Sequence, residues 1–108
     1  MQFSELGKST QTILKLCRQI GFGQLTDLVI VNGELHTTAA SRKQTSIRLD
    51  KAPAALAQAN AEYDFLLCTA QEQLVRRAHD IGNGHIMNIE IRDGRPVSAN
   101  FEETVAEI

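Results

Sequence analysis

The chain has 108 residues, which is enough for one ordinary domain. Hydrophobic residues make up 43% of it and charged residues 22%, with a net charge of -2, so it resembles neither a disordered polyelectrolyte nor a dedicated duplex-DNA coating protein. The longest apolar runs, such as residues 28–31, are far shorter than the ~20 residues of a membrane-spanning helix. Residues 1–11 do not have the pattern of a secretory signal, and we expect a cytoplasmic location.

The first predicted element is an amphipathic helix capped by Ser9 or Thr10. Ile13, the pair Leu16–Cys17 and Ile20 recur at helical spacing and predict its buried face. Gly21 follows directly and is expected to end this helix in a left-handed conformation.

A strand is predicted next, and it is apolar on both faces because Val29 and Val31 alternate with Leu28 and Ile30. A strand of this kind is normally covered on both sides. The second cover is either the alanine-rich segment that follows or a second subunit. The sequence predicts an association surface at Leu25, Val29 and Val31.

Asn32-Gly33 predicts a type I′ hairpin turn, because both residues tolerate positive φ. A return strand is expected over about residues 34–39. Residues 44–49 predict a third strand, with Thr45, Ile47 and Leu49 on one face.

The connector, about residues 50–62, is predicted to be helical rather than a flexible linker. Pro53 suits a first helical turn, alanines dominate the residues that follow, and Leu56 is the expected docking residue. Residues 62–68 fit either a short strand or a continuation into the next helix.

The same order of elements follows in the second half. Thr69-Ala70-Gln71-Glu72 has the form of a capping box, and Leu74, Ala78 and Ile81 form the apolar stripe of a helix that Gly82 ends. Met87, Ile89 and Ile91 predict one face of a strand, Asp93-Gly94 a tight turn, and residues 95–101 a return strand. Residues 102–108 fit either a strand or a helical turn.

Residues 20–33 align with residues 81–94 at an offset of 61 without a gap, and one deletion upstream aligns Phe3 with Phe65. Identical pairs across this offset are Ile20/Ile81, Gly21/Gly82, Gly23/Gly84, Ile30/Ile91 and Gly33/Gly94. Glycines that recur at matching turns indicate a duplication. The sequence therefore predicts an α+β fold in one domain, residues 1–108. Two tandem αββ repeats, about 3–49 and 63–108, share one antiparallel sheet with packed helices.

Residues of the types that catalyse reactions or bind metals show no recognisable motif spacing. Cys17 and Cys68 are read as packed hydrophobes, and His36, His79 and His85 as solvent-facing side chains, although His79 and His85 could face each other. The Gly21 and Gly82 segments follow a helix and precede a strand, which is the wrong order for a phosphate-binding loop. We expect no enzyme activity, no metal and no cofactor.

Positive charge concentrates in two segments, and a nucleic-acid contact is the alternative function. The residues that would make this contact are Arg42, Lys43, Arg48, Arg76 and Arg77. No aromatic residues that could stack on bases interleave with them. A small ligand binder or enzyme is a second alternative.

Residues 13–35, followed by Ile47-Arg48-Leu49, resemble the YezD-like family of short bacterial proteins of unknown biochemical activity. Phe22-Gly23 matches the step from helix to strand in that family, and Asn32-Gly33 matches its turn. The resemblance extends loosely over residues 74–101, where Asn83 replaces the aromatic residue. It implies a small non-enzymatic bacterial module and brings no catalytic residues.

Together these observations predict a small cytoplasmic binding or adaptor protein that acts through contact with another macromolecule. The strand that is apolar on both faces favours a homodimer. We expect a protein partner and no membrane.

Overall fold

The computed structural model describes residues 1–47, 49–50 and 67–103. Its elements are a short 3-10 helix at Phe3–Glu5, helix α1 (Lys8–Ile20), strands β1 (Gly23–Val31) and β2 (Glu34–Thr45), helix α2 (Thr69–Ile81), and strands β3 (Gly84–Arg92) and β4 (Arg95–Glu102). The four strands form one sheet in the order β2-β1-β3-β4, and all neighbours are antiparallel. The predicted α+β class with helices packed on an antiparallel sheet is confirmed.

Both helices begin earlier than the expected capping residues. Gly7 rather than Ser9 or Thr10 is the N-cap of α1, and the Thr10 side chain is instead buried against β2. Cys68 precedes α2, and its amide donates to Gln71 Oε1 at 3.0 Å. The predicted pairing of Thr69 with Glu72 was therefore wrong by one residue.

Each helix ends in a tight reversal at a glycine, as predicted, although the conformation differs from the expected left-handed cap. Gly21 has φ 72° and ψ -68°, and Gly82 has φ 77° and ψ -60°. The residue after each glycine donates to the carbonyl of the residue before it, at 2.8 Å and 2.9 Å. These are γ-turns, a geometry that is strained for residues with a side chain.

The core lies between the helices and one face of the sheet. The central strands contribute three buried side chains each, Leu25, Leu28 and Ile30 from β1 and Ile86, Ile89 and Ile91 from β3. Met87, which was expected on this buried face, is instead 50% exposed. The reason is that the β1–β3 pairing skips one residue in each strand, Asp27 in β1 and Met87 in β3. The inward–outward alternation of side chains therefore shifts by one residue at this point.

The two hairpin turns have the predicted positive φ angles, 51° and 79° at Asn32-Gly33 and 55° and 74° at Asp93-Gly94. Each turn also contacts the helix of the other half. Gly33 N donates to Gly82 O at 2.7 Å, and Gly94 N donates to Gly21 O at 2.8 Å. Carbonyls at a helix end lack partners within the helix, so these hydrogen bonds satisfy them and join the halves.

Strand β2 is longer than expected and replaces the two separate strands predicted at residues 34–39 and 44–49. Residues 38–41 form an irregularity within it, because Leu28 pairs with Thr37 whereas Thr26 pairs with Arg42. Ile47 and Leu49 lie beyond the strand and are 65% and 92% exposed. The predictions for residues 51–66 and 104–108 fall outside the described residues.

Candidate binding surfaces

The face of the sheet opposite the helices carries a chain of hydrogen-bonded side-chain amides. Asn100 Nδ2 donates to Asn88 Oδ1 at 2.6 Å, and Asn88 Nδ2 donates to Gln24 Oε1 at 3.4 Å. Gln24 Nε2 in turn donates to Gln44 Oε1 at 2.5 Å. These residues lie on β4, β3, β1 and β2, so the amide chain crosses the whole sheet in one donor direction.

This arrangement leaves hydrogen-bonding capacity facing outward. A primary amide has two N–H donors and two acceptor lone pairs, and the amide chain uses only part of them. The side chains fix one another in place, which reduces the entropy lost when a partner orders them. We call the residues of this surface, Gln24, Thr26, Gln44, Asn88 and Asn100, the amide face.

Ionisable side chains flank the amide face in two groups. His85 on β3 lies between two carboxylates, with Nε2 3.4 Å from Asp27 Oδ1 and Nδ1 3.9 Å from Glu102 Oε1. Glu90 lies beside Arg92 at 3.0 Å and accepts a hydrogen bond from Ser98 at 3.3 Å. All of these groups are partly exposed, so the pairs orient side chains more than they stabilise the fold.

Asp27 adopts a conformation that few residues with a side chain adopt. Its φ is 57°, and its carbonyl oxygen accepts hydrogen bonds from Ser41 Oγ at 2.5 Å and Thr38 Oγ1 at 3.3 Å. Aspartate tolerates this region better than most residues. The irregular residues 38–41 of β2 are thus held against the unpaired residue of β1.

The predicted association surface is only partly at the surface. Val31 is 43% exposed, and Val29 is half-buried. Leu25 is 3% exposed and belongs to the core, so it is not available for association. The cause is the unpaired Asp27, which places Leu25 on the same face as Leu28 despite their odd spacing.

The predicted nucleic-acid-contact residues lie on more than one surface of the structure. Arg42 pairs with Thr26 and lies on the amide-face side of β2, whereas Lys43 pairs with the buried Leu25 and lies on the opposite side. Arg76 and Arg77 are exposed on α2. Arg48 lies outside the described residues.

Histidines and cysteines lie apart from one another. His79 is exposed on α2 beside Gly33, whereas His85 contacts Asp27 and Glu102, so the two histidines do not face each other. Burial raises the pKa of the Cys17 thiol to about 12, and Cys68 is half-buried. Within residues 1–47, 49–50 and 67–103, no three His, Cys, Asp or Glu side chains could hold a metal ion.

Two cavities open on the helical side. One of about 160 Å³ lies where Gly7, Thr10, Glu34 and His79 meet, and the Thr10 hydroxyl donates to Glu34 Oε2 there at 2.5 Å. The other, of about 300 Å³, lies between α2 and β4 and has a mostly apolar lining. Leu74 and Phe101 contribute its largest apolar side chains.

Sequence reasoning missed the amide face, although a signal for it was present. Gln24 precedes the buried Leu25, and Asn88 precedes the buried Ile89. Asn100 lies between the half-buried Ala99 and Phe101. Because side chains alternate along a strand, all three amides are expected on the outward face. Their contact across strands depends on the sheet order, which spacing along the chain does not reveal.

Among the helices in the described part of the chain, none is both long enough and apolar enough to cross a membrane. Comparison with protein-family models, curated proteins and solved structures gave no match to this chain.

Proposed function

We propose that this protein is a small, non-enzymatic bacterial binding module of the cytoplasm that acts as a homodimer through its open sheet face. The observation that carries the proposal is the amide face, which is exposed on a four-stranded sheet whose other face is covered by α1 and α2. A pre-ordered surface with unused donors and acceptors suits contact with another macromolecule.

The size of the face agrees with a modest interface. Four strands about 4.8 Å apart, over nine residues of about 3.3 Å each, span roughly 600 Å², somewhat less than the ~800 Å² that each partner buries in a standard interface. Val29 and Val31 extend the face with apolar area.

A second copy fits this face because the amide chain has complementary ends. Gln44 at the β2 end keeps unused N–H donors, and Asn100 at the β4 end keeps an unused acceptor. A twofold axis parallel to the strands would place the β2 end of one copy over the β4 end of the other. Both copies would then use the same patch, as twofold interfaces require.

We also propose that the chain arose by duplication of one αββ unit. The pairing of β1 with β3 is symmetric under the offset of 61 residues. If each residue is replaced by its equivalent in the other half, the pair Gly23↔Ile91 becomes Gly84↔Ile30, which is also a pair of this ladder. In the same way, Leu25↔Ile89 becomes Ile86↔Leu28. The two hydrogen bonds between turn and helix exchange in the same way. These correspondences, together with the glycine pattern, support the proposal.

Sedimentation equilibrium over a range of concentrations tests the dimer. We expect concentration-dependent dimerisation that Val31→Glu, or Asn88→Lys in the amide face, weakens at least tenfold. Val97→Glu is the matched control, because Val97 is similarly exposed at 49% but lines the helical side of β4. A monomer at every concentration, or equal weakening by all three variants, would overturn the dimer at this face.

A further inference from the structure

The groove between α2 and β4 is the second exposed surface with a defined shape. It has a volume of about 300 Å³, and its apolar lining consists of Ala70, Leu74, Pro96, Val97, Ala99 and Phe101. Arg77 is the one charged residue among the described residues that line it. It lies on the helical side of the sheet and does not include the amide face.

One wall of the groove is β4, an edge strand of the described sheet. β4 is the last strand of the sheet, and edge strands present a row of outward N–H and C=O groups. Within the part of the chain that the structure describes, residues 98–102 make no backbone hydrogen bonds outside the β3–β4 ladder. Pro96 has no N–H, and the ladder is irregular at Val97, so the usable edge begins at Ser98.

The opposite edge of the sheet is β2, and other parts of the chain interrupt it. Leu35 N, at the start of β2, donates to Thr10 Oγ1 of α1 at 3.1 Å. Residues 38–41 interrupt the same strand with their own hydrogen bonds to Asp27. The edge of β2 is therefore interrupted at two places, whereas residues 98–102 of β4 form one continuous edge.

We propose that an extended peptide segment of a partner protein binds along β4 as an added strand, with apolar side chains in the groove and an acidic group beside Arg77. Strand addition beside a helix supplies backbone hydrogen bonds for affinity and pockets for alternate side chains. Arg77, in a described lining that holds no carboxylate, favours a negatively charged segment over a positively charged one. This inference identifies a partner surface for the proposed binding module but does not depend on its homodimerisation.

The test uses a naive heptapeptide display library selected against the full-length protein. We expect enrichment of peptides with alternating apolar residues and at least one Asp or Glu. Selected peptides, titrated into the ¹⁵N-labelled protein, should shift the amide signals of residues 98–102 and of α2. Arg77→Glu should weaken their binding at least tenfold, and Arg76→Glu, an exposed neighbour that does not line the groove, should leave it unchanged.

Two further controls define the binding mode. Two versions of a selected peptide, N-methylated on its odd or on its even residues, keep the side chains but lose the N–H donors of one edge each. Strand addition predicts that one version does not bind and that the other still does, because only one edge of the peptide faces β4. The Val31→Glu variant should bind as the unmodified protein does, which separates this site from the homodimer proposal. Strand addition also predicts slower amide exchange along residues 98–102 in the complex.

Several results would overturn the proposal. The first is a selection that enriches no peptide on the unmodified protein relative to the Arg77→Glu protein. The second is amide shifts confined to other surfaces, and the third is unchanged affinity of both N-methylated peptides. Self-association that Arg77→Glu abolishes would assign the groove to a second copy of the chain instead. Binding seen only after deletion of residues 104–108 would assign it to the end of the same chain.

Discussion

The amide of Gly94, in the turn between β3 and β4, donates a hydrogen bond to the carbonyl oxygen of Gly21, where α1 ends, at 2.8 Å. The contact joins residues that are distant in sequence and closes a helix end with the backbone of the other half. Close approach is possible because Gly94 has no side chain, and a Cβ atom there would lie 3.3 Å from the Cα atom of Arg18.

Gly94→Ala should therefore destabilise the protein. An alanine at φ 74° costs roughly 1–2 kcal/mol in conformational strain, and the contact with Arg18 adds to that cost. Urea denaturation should show a loss of about 1–3 kcal/mol in the free energy of unfolding. Asp93→Asn, in the same turn, is the control and should change stability by less than about 0.5 kcal/mol, because asparagine tolerates positive φ. Equal losses in both variants would contradict this account.

Thr10→Val should cost about 1–3 kcal/mol although the two side chains have nearly the same shape. The Thr10 hydroxyl is buried, accepts from Leu35 N and donates to Glu34, so valine would leave the Leu35 amide without its partner. Thr12→Val is the matched control, because the Thr12 hydroxyl is exposed and bonds only to its own helix. Chemical denaturation of both variants checks the difference, and similar stabilities would show that the Leu35 amide is satisfied in another way.

Asp27→Ala should destabilise the protein by about 1 kcal/mol more than Asp27→Asn. Alanine is disfavoured at φ 57°, whereas asparagine tolerates it and removes only the charge that faces His85. Because the His85 and Asp27 side chains are both partly exposed, Asp27→Asn alone should shift the free energy of unfolding by less than about 1 kcal/mol. Thermal or urea unfolding at low and high salt separates the two contributions.

The two cysteines should differ in reactivity. Burial raises the pKa of the Cys17 thiol to about 12 from an ordinary value of 9.0, so it stays protonated and shielded at pH 8. A thiol-specific alkylating reagent should modify one cysteine of the native protein quickly and both after unfolding. Cys68→Ser should abolish the fast reaction, and fast labelling of that variant would contradict the burial of Cys17.

The same pKa difference predicts the sign of a pH effect. The folded state holds the Cys17 proton more tightly than the unfolded chain, so its contribution to stability is fully present below about pH 9 and is lost as the pH rises toward 12. Cys17→Ala should lack this component of the alkaline loss, which urea titrations between pH 8 and 10.5 would measure. An identical alkaline slope in both proteins would contradict the prediction.

The sequence alone determined the elements whose causes are local. Glycines at positions 21 and 82 end the helices, Asn32-Gly33 and Asp93-Gly94 form the turns, and apolar residues at helical or alternating spacing define most of the core. Each of these depends on backbone conformations or side-chain periods that neighbouring residues specify without help from the rest of the chain.

Only the tertiary structure decided where the alternation shifts and which distant groups meet. Asp27 and Met87 are left unpaired where β1 meets β3, and the inward–outward alternation of both strands shifts by one residue there. This shift places Leu25 in the core and Met87 outside it. Thr10 accepts a hydrogen bond from Leu35 N of β2 rather than capping its own helix. The amide face forms only because the four strands lie in the order β2-β1-β3-β4. Pairing register and strand order arise from contacts between residues far apart in sequence, which local preferences do not encode.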